Sequence, residues 1–362
     1  MLMGKERQSN FELLRLIAMF FIVLSHIAVL GRGTVIDRDS FTPLSIFIHF
    51  SAGLGQVGNN LFILLTGYFL VKGRWKSRKI VTLILQTLFY SWGFFLIFYF
   101  GKFYAFTREE MIANLFPILF KTNWFISCYL CFIFFSPFLN LLLRKINRKQ
   151  HLFLCLFCFF LWSILYIWKT ETYLNDFAGF IEVYLIGAYF GLSPVPFKKK
   201  ASVAMGSLAL PLLLAFYALL VYLGTKYDFF LRKADDFTRF YSVSSILVSV
   251  SIFLWAREWK VQSKVINALA SSVFGVYLIH YNFCIRKVIL PWLYAFLTPL
   301  APSLHILILP FLALGIFLVC LLIEKLRAIL MDKLFLQKIL GKFTLFDRID
   351  CFFQIENEPE SD

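Results

Sequence analysis

An arginine and a histidine, Arg15 and His26, stand eleven positions apart inside one apolar run, Phe11 to Gly31, with Glu12 one turn before the arginine. An imidazole can take a proton from a hydroxyl or accept a group covalently, and a guanidinium can hold an anion. The pair therefore carries the equipment of a group-transfer site. At ~100° per residue the eleven-residue spacing returns both side chains to nearly the same helix face, about 16 Å apart along the axis. Other polar residues interrupt apolar runs elsewhere: Asn59 and Asn60, Glu182, and His280 beside Tyr277. An ionisable group inside a membrane span costs at least about 2.5 kcal/mol, so each needs a reason. For Arg15 the plain reason is snorkelling to headgroups with Glu12 as its pair. For His26 and His280 it is a hydrogen bond to a neighbouring helix, and Glu182 is expected to pair with one of these three.

These residues sit in segments that lipid must surround. Of 362 residues 60% are hydrophobic, 46 are Phe, and the mean hydropathy is +0.76, far above what a water-soluble domain of this length tolerates. Apolar runs recur at about the 20 residues that a span requires. The expected fold is all-α and polytopic, with about ten transmembrane helices over roughly 11–31, 55–72, 80–101, 123–143, 151–168, 177–192, 202–223, 240–256, 266–285 and 304–324. Pro43 to Gly53 is too short for a further span and is expected as an interfacial or re-entrant lead, as is Val288 to Pro302. No small-residue cleavage site follows the first run, so it is expected to be retained as an anchor.

The net charge of +15 belongs to the connectors, and the bilayer explains it better than a nucleic acid does. The amino terminus, Lys72 and the connectors at 73–79, 144–150, 193–201 and 257–265 hold 17 basic residues against Glu6 and Glu258; the remaining connectors hold 12 against nine acids. The bias puts both termini in the cytoplasm, which an even count of helices also requires. Residues 1–327 then form the transmembrane domain, and 328–362 a cytoplasmic tail. In that tail Leu330, Leu334, Phe335 and Ile339 recur at helical spacing with Lys333, Lys338 and Lys342 between them, before the acidic Glu356 to Asp362.

Two familiar patterns are rejected by their context. Cys128, Cys131, Cys155 and Cys158 form two C-x-x-C pairs, but they fall in different helices at depths differing by about 12 Å, so no metal site is expected. Gly53, Gly55 and Gly58 match a dinucleotide fingerprint but follow no strand; close helix approach accounts for them.

Several ordered motifs together resemble acyltransferase family 3, particularly the standalone bacterial members that O-acetylate surface polysaccharides. They are Arg7-Gln-Ser-Asn-Phe-Glu12-Leu-Leu-Arg15 leading to His26, Asn60-Leu-Phe-Ile-Leu-Leu-Thr-Gly67-Tyr68-Phe69, Trp124-Phe125-Ile-Ser-Cys-Tyr129 running to Ser136-Pro137, and Phe274-Gly275-Val-Tyr277-Leu-Ile-His280. The resemblance spans nearly the whole chain. It implies a multi-pass plasma-membrane protein that takes an acyl group, usually acetyl from acetyl-CoA, on the cytoplasmic side and delivers it to a hydroxyl of a surface polysaccharide or its lipid-linked precursor. It also implies that Arg15 and His26 are the functional pair. Many relatives carry an acidic residue where Asn59 or Asn60 stands.

On this reading His26 is a base or a covalent acyl carrier, with no permanently bound cofactor. Arg15 with Lys72, Arg74, Lys76, Arg78 and Lys79 attracts the phosphates of acyl-CoA, although the positive-inside rule alone also accounts for that connector. Trp124, Tyr68 and Tyr277 are expected on the outer side as faces for a sugar ring, with Asn59, Asn60, Glu182 and His280 on its hydroxyls. The rival reading is a non-catalytic transporter or flippase of a lipid-linked glycan, which needs the same polar path but no acyl donor.

Overall fold

In lipid every backbone amide must be paired within its own segment, and a chain of apolar runs meets that demand by becoming helical. A computed structural model describes residues 8–30, 40–168, 176–194, 197–331 and 349–350, and among them the regular structure is helical throughout. In chain order the helices are α1 Ser9–Leu30, α2 Pro43–Leu70, α3 Ser77–Phe100, α4 Arg108–Leu115, α5 Trp124–Lys145, α6 Arg148–Trp168, α7 Asp176–Leu192 and α8 Lys199–Gly224. There follow α9 Asp228–Asp236, α10 Val243–Arg257, α11 Lys264–Ala270, α12 Val273–His280, α13 Leu290–Leu297 and α14 Pro302–Arg327. Nine of the expected spans each fall on one helix, and 266–285 is divided between α11 and α12.

Six of them, α1, α3, α5, α6, α8 and α14, are long and apolar enough to cross a membrane. The 28-residue α2 has the length, but Gly53 to Asn60 dilute its apolar character. The segment 264–280 continues into Ile285–Leu297 through a 60° bend, the shape of a broken span or a re-entrant loop. The lead Pro43 to Gly53 corrects the expectation: it is the first part of α2. Thr42 caps it by accepting a hydrogen bond from Ser45 N, and Pro43 occupies the first helical position, so nothing interrupts the helix before Leu70. The tail expectation is altered at its start, because Leu330 belongs to a helix running unbroken from Pro302 to Met331. Leu334, Phe335, Ile339, the lysines between them and Glu356 to Asp362 lie outside the described residues.

Burial separates the centre from the rim. In α1 and α5 56% of the apolar window is buried, against 28% in α3, α6, α8 and α14. On α14, Leu307, Phe311, Leu314, Leu318 and Leu322 are all exposed and recur every three or four residues, which makes a lipid-facing stripe. The glycines of α2 let it lie against α1: a Cβ on Gly58 would stand 2.5 Å from the Ala18 carbonyl oxygen, and one on Gly55 would collide with Ser25. This close approach is what Gly55 and Gly58 serve, while Gly53 makes room for the Tyr217 ring of α8. α1 also packs against α10, α11, α12, α13 and α14, so the helix that carries Arg15 and His26 lies inside the bundle.

Candidate functional site

The face of α1 that begins at Arg15 opens onto a cavity. Glu12, Arg15, Met19 and Ile22, spaced as successive turns, line a space of about 450 Å³ with Phe62 and Thr66 of α2, Lys79 and Leu83 of α3, Tyr129 of α5, and Tyr277 of α12. A second cavity of about 490 Å³ shares Arg15, Thr66, Lys79, Leu83 and Tyr129 and extends to Arg74, Trp75 and Lys76. The two make one cleft, basic at its mouth and largely apolar inside, of the size that binding sites for small molecules take. Arg15 donates from Nη1 to Glu12 Oε1 at 2.8 Å, and its guanidinium lies 5.9 Å from the ring centre of Phe69. Its side chain keeps 31% exposure, so the guanidinium faces the cleft with donors to spare.

One turn beyond Ile22 comes His26, half-buried, with its ring centre 6.3 Å from Tyr277 at the inner end of the cleft. Its Nδ1 lies 3.0 Å from Nε2 of His280, and His280 Nδ1 lies 2.6 Å from the carbonyl oxygen of Val276. The His26 ring stacks on Tyr281 with centroids 4.0 Å apart at 22°. The Arg286 guanidinium sits 4.2 Å from the centre of the Tyr281 ring and donates from Nη2 to Thr122 O at 3.1 Å. Two groups cannot occupy the same 4 Å above one ring, so His26 and Arg286 flank Tyr281 from opposite sides. The helix break makes this possible: α12 ends at His280, and the turn after it swings Tyr281 and Arg286 around the imidazole. Arg15 and His26 thus share a face, as their spacing requires, one at the cleft and the other just past its inner end.

Other expected positions take different roles. Glu182 pairs with none of Arg15, His26 and His280; it is fully buried and lies 2.6 Å from Ser163 Oγ, which donates to Tyr241 O at 2.7 Å. Ser163 reaches it from a π-helical turn, Phe159–Ile164, in α6. Asn60, also fully buried, donates to Phe240 O at 2.6 Å, and Asn59 to Gln56 Oε1 at 3.2 Å, so both amide NH2 groups are directed at protein groups. Trp124 stacks on Phe240 at 5.6 Å. Tyr68 lies against Phe11, at the opposite end of α1 from His26, because α2 runs back past α1 and Tyr68 is near its last turn. Of the basic connector, Arg74, Lys76 and Lys79 line the cleft while Lys72 and Arg78 do not. Helical phase is the cause: α3 starts at Ser77, so Lys79 and Leu83 share a face that Arg78 leaves. Tyr277 does reach the site, and His280 reaches it as the partner of His26.

Sequence reading missed Tyr281, Arg286 and a network around Glu324. In the sequence Arg286 follows directly on the apolar run 266–285 and reads as connector charge. Glu324 had a readable signal, a carboxylate in the final turns of a span with Arg327 three residues on. Its two oxygens accept from Gln86, Tyr90 and Arg327.

Comparison with curated proteins and with solved structures returned no match. A family model described as an acyltransferase domain matches residues 8–325, a stretch that contains the cleft, His26 and the helix break. With that match over most of its length and, among the described residues, an all-helical build with six helices fit to cross a bilayer, the chain belongs to acyltransferase family 3 and is a membrane acyltransferase.

Proposed function

We propose that this protein moves an acetyl group from cytoplasmic acetyl-CoA to a hydroxyl of an extracytoplasmic surface polysaccharide or its lipid-linked precursor, as a multi-pass plasma-membrane enzyme with about ten spans and both termini inside. The observation that carries the reading is the cleft on one face of α1. Its mouth holds Arg15, Arg74, Lys76 and Lys79, its walls are mostly apolar, and its inner end is Tyr277, the neighbour of His26. A phosphate-rich donor with a long neutral arm and a small acyl end has that distribution of charge. Guanidinium and ammonium groups hold phosphates by charge-assisted hydrogen bonds, while the apolar walls exclude water from the thioester.

His26 lies where the acyl end would arrive, about 16 Å along α1 from Arg15. It takes the hydroxyl proton or carries the acyl group itself. Arg286, held by the Thr122 carbonyl on the far face of Tyr281, braces the ring on which His26 stacks. The positive-inside bias of the connectors supports the sidedness, with the cleft mouth in the cytoplasm and the helix break toward the outer leaflet.

The test uses the purified protein in proteoliposomes with labelled acetyl-CoA on one side and the surface glycan of the source cell on the other. Label appearing on the glycan, dependent on His26, is the expected result. Label on the glycan from a His26→Ala protein at the wild-type rate, or glycan translocation with no acyl donor needed, would overturn it. Mass analysis of the protein trapped with donor alone separates the two routes, since only the carrier route leaves an acetyl group on His26.

A further inference from the structure

His26 has two ring nitrogens, and only one of them can offer a lone pair to a reacting group. The chain of contacts behind the ring decides which. The Val276 carbonyl only accepts, so the 2.6 Å contact requires the proton of His280 to be on Nδ1. A neutral imidazole then bears its lone pair on the other nitrogen, which makes His280 Nε2 an acceptor. The 3.0 Å contact with His26 Nδ1 in turn requires a proton on that nitrogen. His26 is left with its lone pair on Nε2, for which the structure records no hydrogen-bond partner among the described residues.

We propose that His280 is a positioning residue for His26: together with the Val276 carbonyl it fixes the tautomer and ring plane that turn Nε2, and not Nδ1, toward the reacting groups. The proposal rests on the acyltransferase reading above and deepens it. In the transfer the acceptor oxygen bonds to the acyl carbon, the carbon–sulfur bond of the donor breaks, and Nε2 takes the hydroxyl proton before passing it to the departing thiolate. While His26 is positively charged its Nδ1–H stays on His280 Nε2, so the same hydrogen bond becomes charge-assisted and no partner has to be exchanged. This is the part an orienting carboxylate plays behind a catalytic histidine, played here by a neutral ring. The fold provides for it locally: His280 is buried, its carbonyl partner lies one turn back on its own helix, and the break after it brings Tyr281 flat against His26.

The chain has five histidines, so ¹⁵N-histidine labelling of the full-length protein in detergent or nanodiscs gives a readable spectrum, with His26 assigned by its loss in His26→Asn. The expected result in the wild type is a protonated Nδ1 and an unprotonated Nε2 on both His26 and His280. His280→Phe, which keeps a ring but offers no acceptor, is expected to release the His26 tautomer and lower kcat about 100-fold or more, with the donor KM unchanged. His280→Gln, whose amide oxygen can accept from Nδ1–H, is expected to restore the tautomer and most of kcat. A wild-type His26 protonated on Nε2 would overturn the proposal without any variant having to fold. So would a folded His280→Phe protein with wild-type kcat, or a kcat loss that His280→Gln does not relieve although its tautomer is correct. A wild type with the expected tautomers but no acyl transfer would instead count against the proposed reaction.

Discussion

Glu324 and His26 are both ionisable side chains on helices packed against α12, yet their surroundings are completed to different degrees. Glu324 is 2% exposed, and its oxygens accept from Gln86 at 3.0 Å, Tyr90 at 2.6 Å, and Arg327 twice, at 2.9 and 2.7 Å. The opposite charge is adjacent, four donors fill the carboxylate, and two helices, α3 and α14, are tied together. His26 is half-buried, is bonded through one nitrogen, and stands beside the end of a cleft. A closed network lowers the energy of one arrangement; an open one leaves a group that something else must complete. Glu182 and Asn60 stand between the two: each has a protein partner, Ser163 and the Phe240 carbonyl, but Glu182 Oε2 and Asn60 Oδ1 are buried without one.

That contrast is open to direct attack. Glu324→Ala should cost the largest amount of stability, about 3–5 kcal/mol, because it removes the buried carboxylate on which Gln86, Tyr90 and Arg327 converge. Thermal unfolding in detergent measures it, and turnover per folded molecule should hold. His26→Ala should do the reverse: acyl transfer falls about 100-fold or more while the unfolding midpoint stays within a few degrees of wild type. A stability loss for His26→Ala as large as that for Glu324→Ala would erase the distinction.

Arg15→Ala should raise the donor KM about 10-fold or more, the worth of a hydrogen bond to a charged group, with kcat less affected. Steady-state kinetics against donor concentration reads this, and a pure kcat effect would move Arg15 from holding the donor to the chemistry. Asn60→Ala should cost about 1–3 kcal/mol of stability by leaving the Phe240 carbonyl unpaired, with activity per folded molecule unchanged. Smallest of all, Lys76→Ala or Lys79→Ala should weaken donor binding only a few-fold, an effect that fades at high salt because both side chains are exposed. Lys72→Ala, outside the cleft lining, should do less still.

What the sequence by itself determined is whatever depends on neighbours along the chain. Apolar runs with basic connectors dictated helices, and the expected segments are helical apart from the breaks within 266–285. Eleven residues at a fixed helical pitch put Arg15 and His26 on one face, and the cleft lining of Arg15, Met19 and Ile22 follows that face. The ordered motifs pointed to the family whose model matches residues 8–325.

Tertiary structure alone decided which helix each polar face meets. His26 and His280 are 254 positions apart, and no periodicity within either segment says that they touch. The same holds for Asn60 and Phe240, separated by 180 positions, and for Gln86 and Glu324, separated by 238. Glu182 was expected to seek a cation or a histidine because charge pairing is the cheapest guess; its actual partner, Ser163, is presented by a π-helical turn that residue pattern does not announce. Helical phase is local and readable, whereas the choice of partner is a property of packing among all the helices at once. Arg15 and His26 could therefore be named from the sequence, while the nitrogen of His26 left to react could be read only after His280 and Val276 were in place behind it.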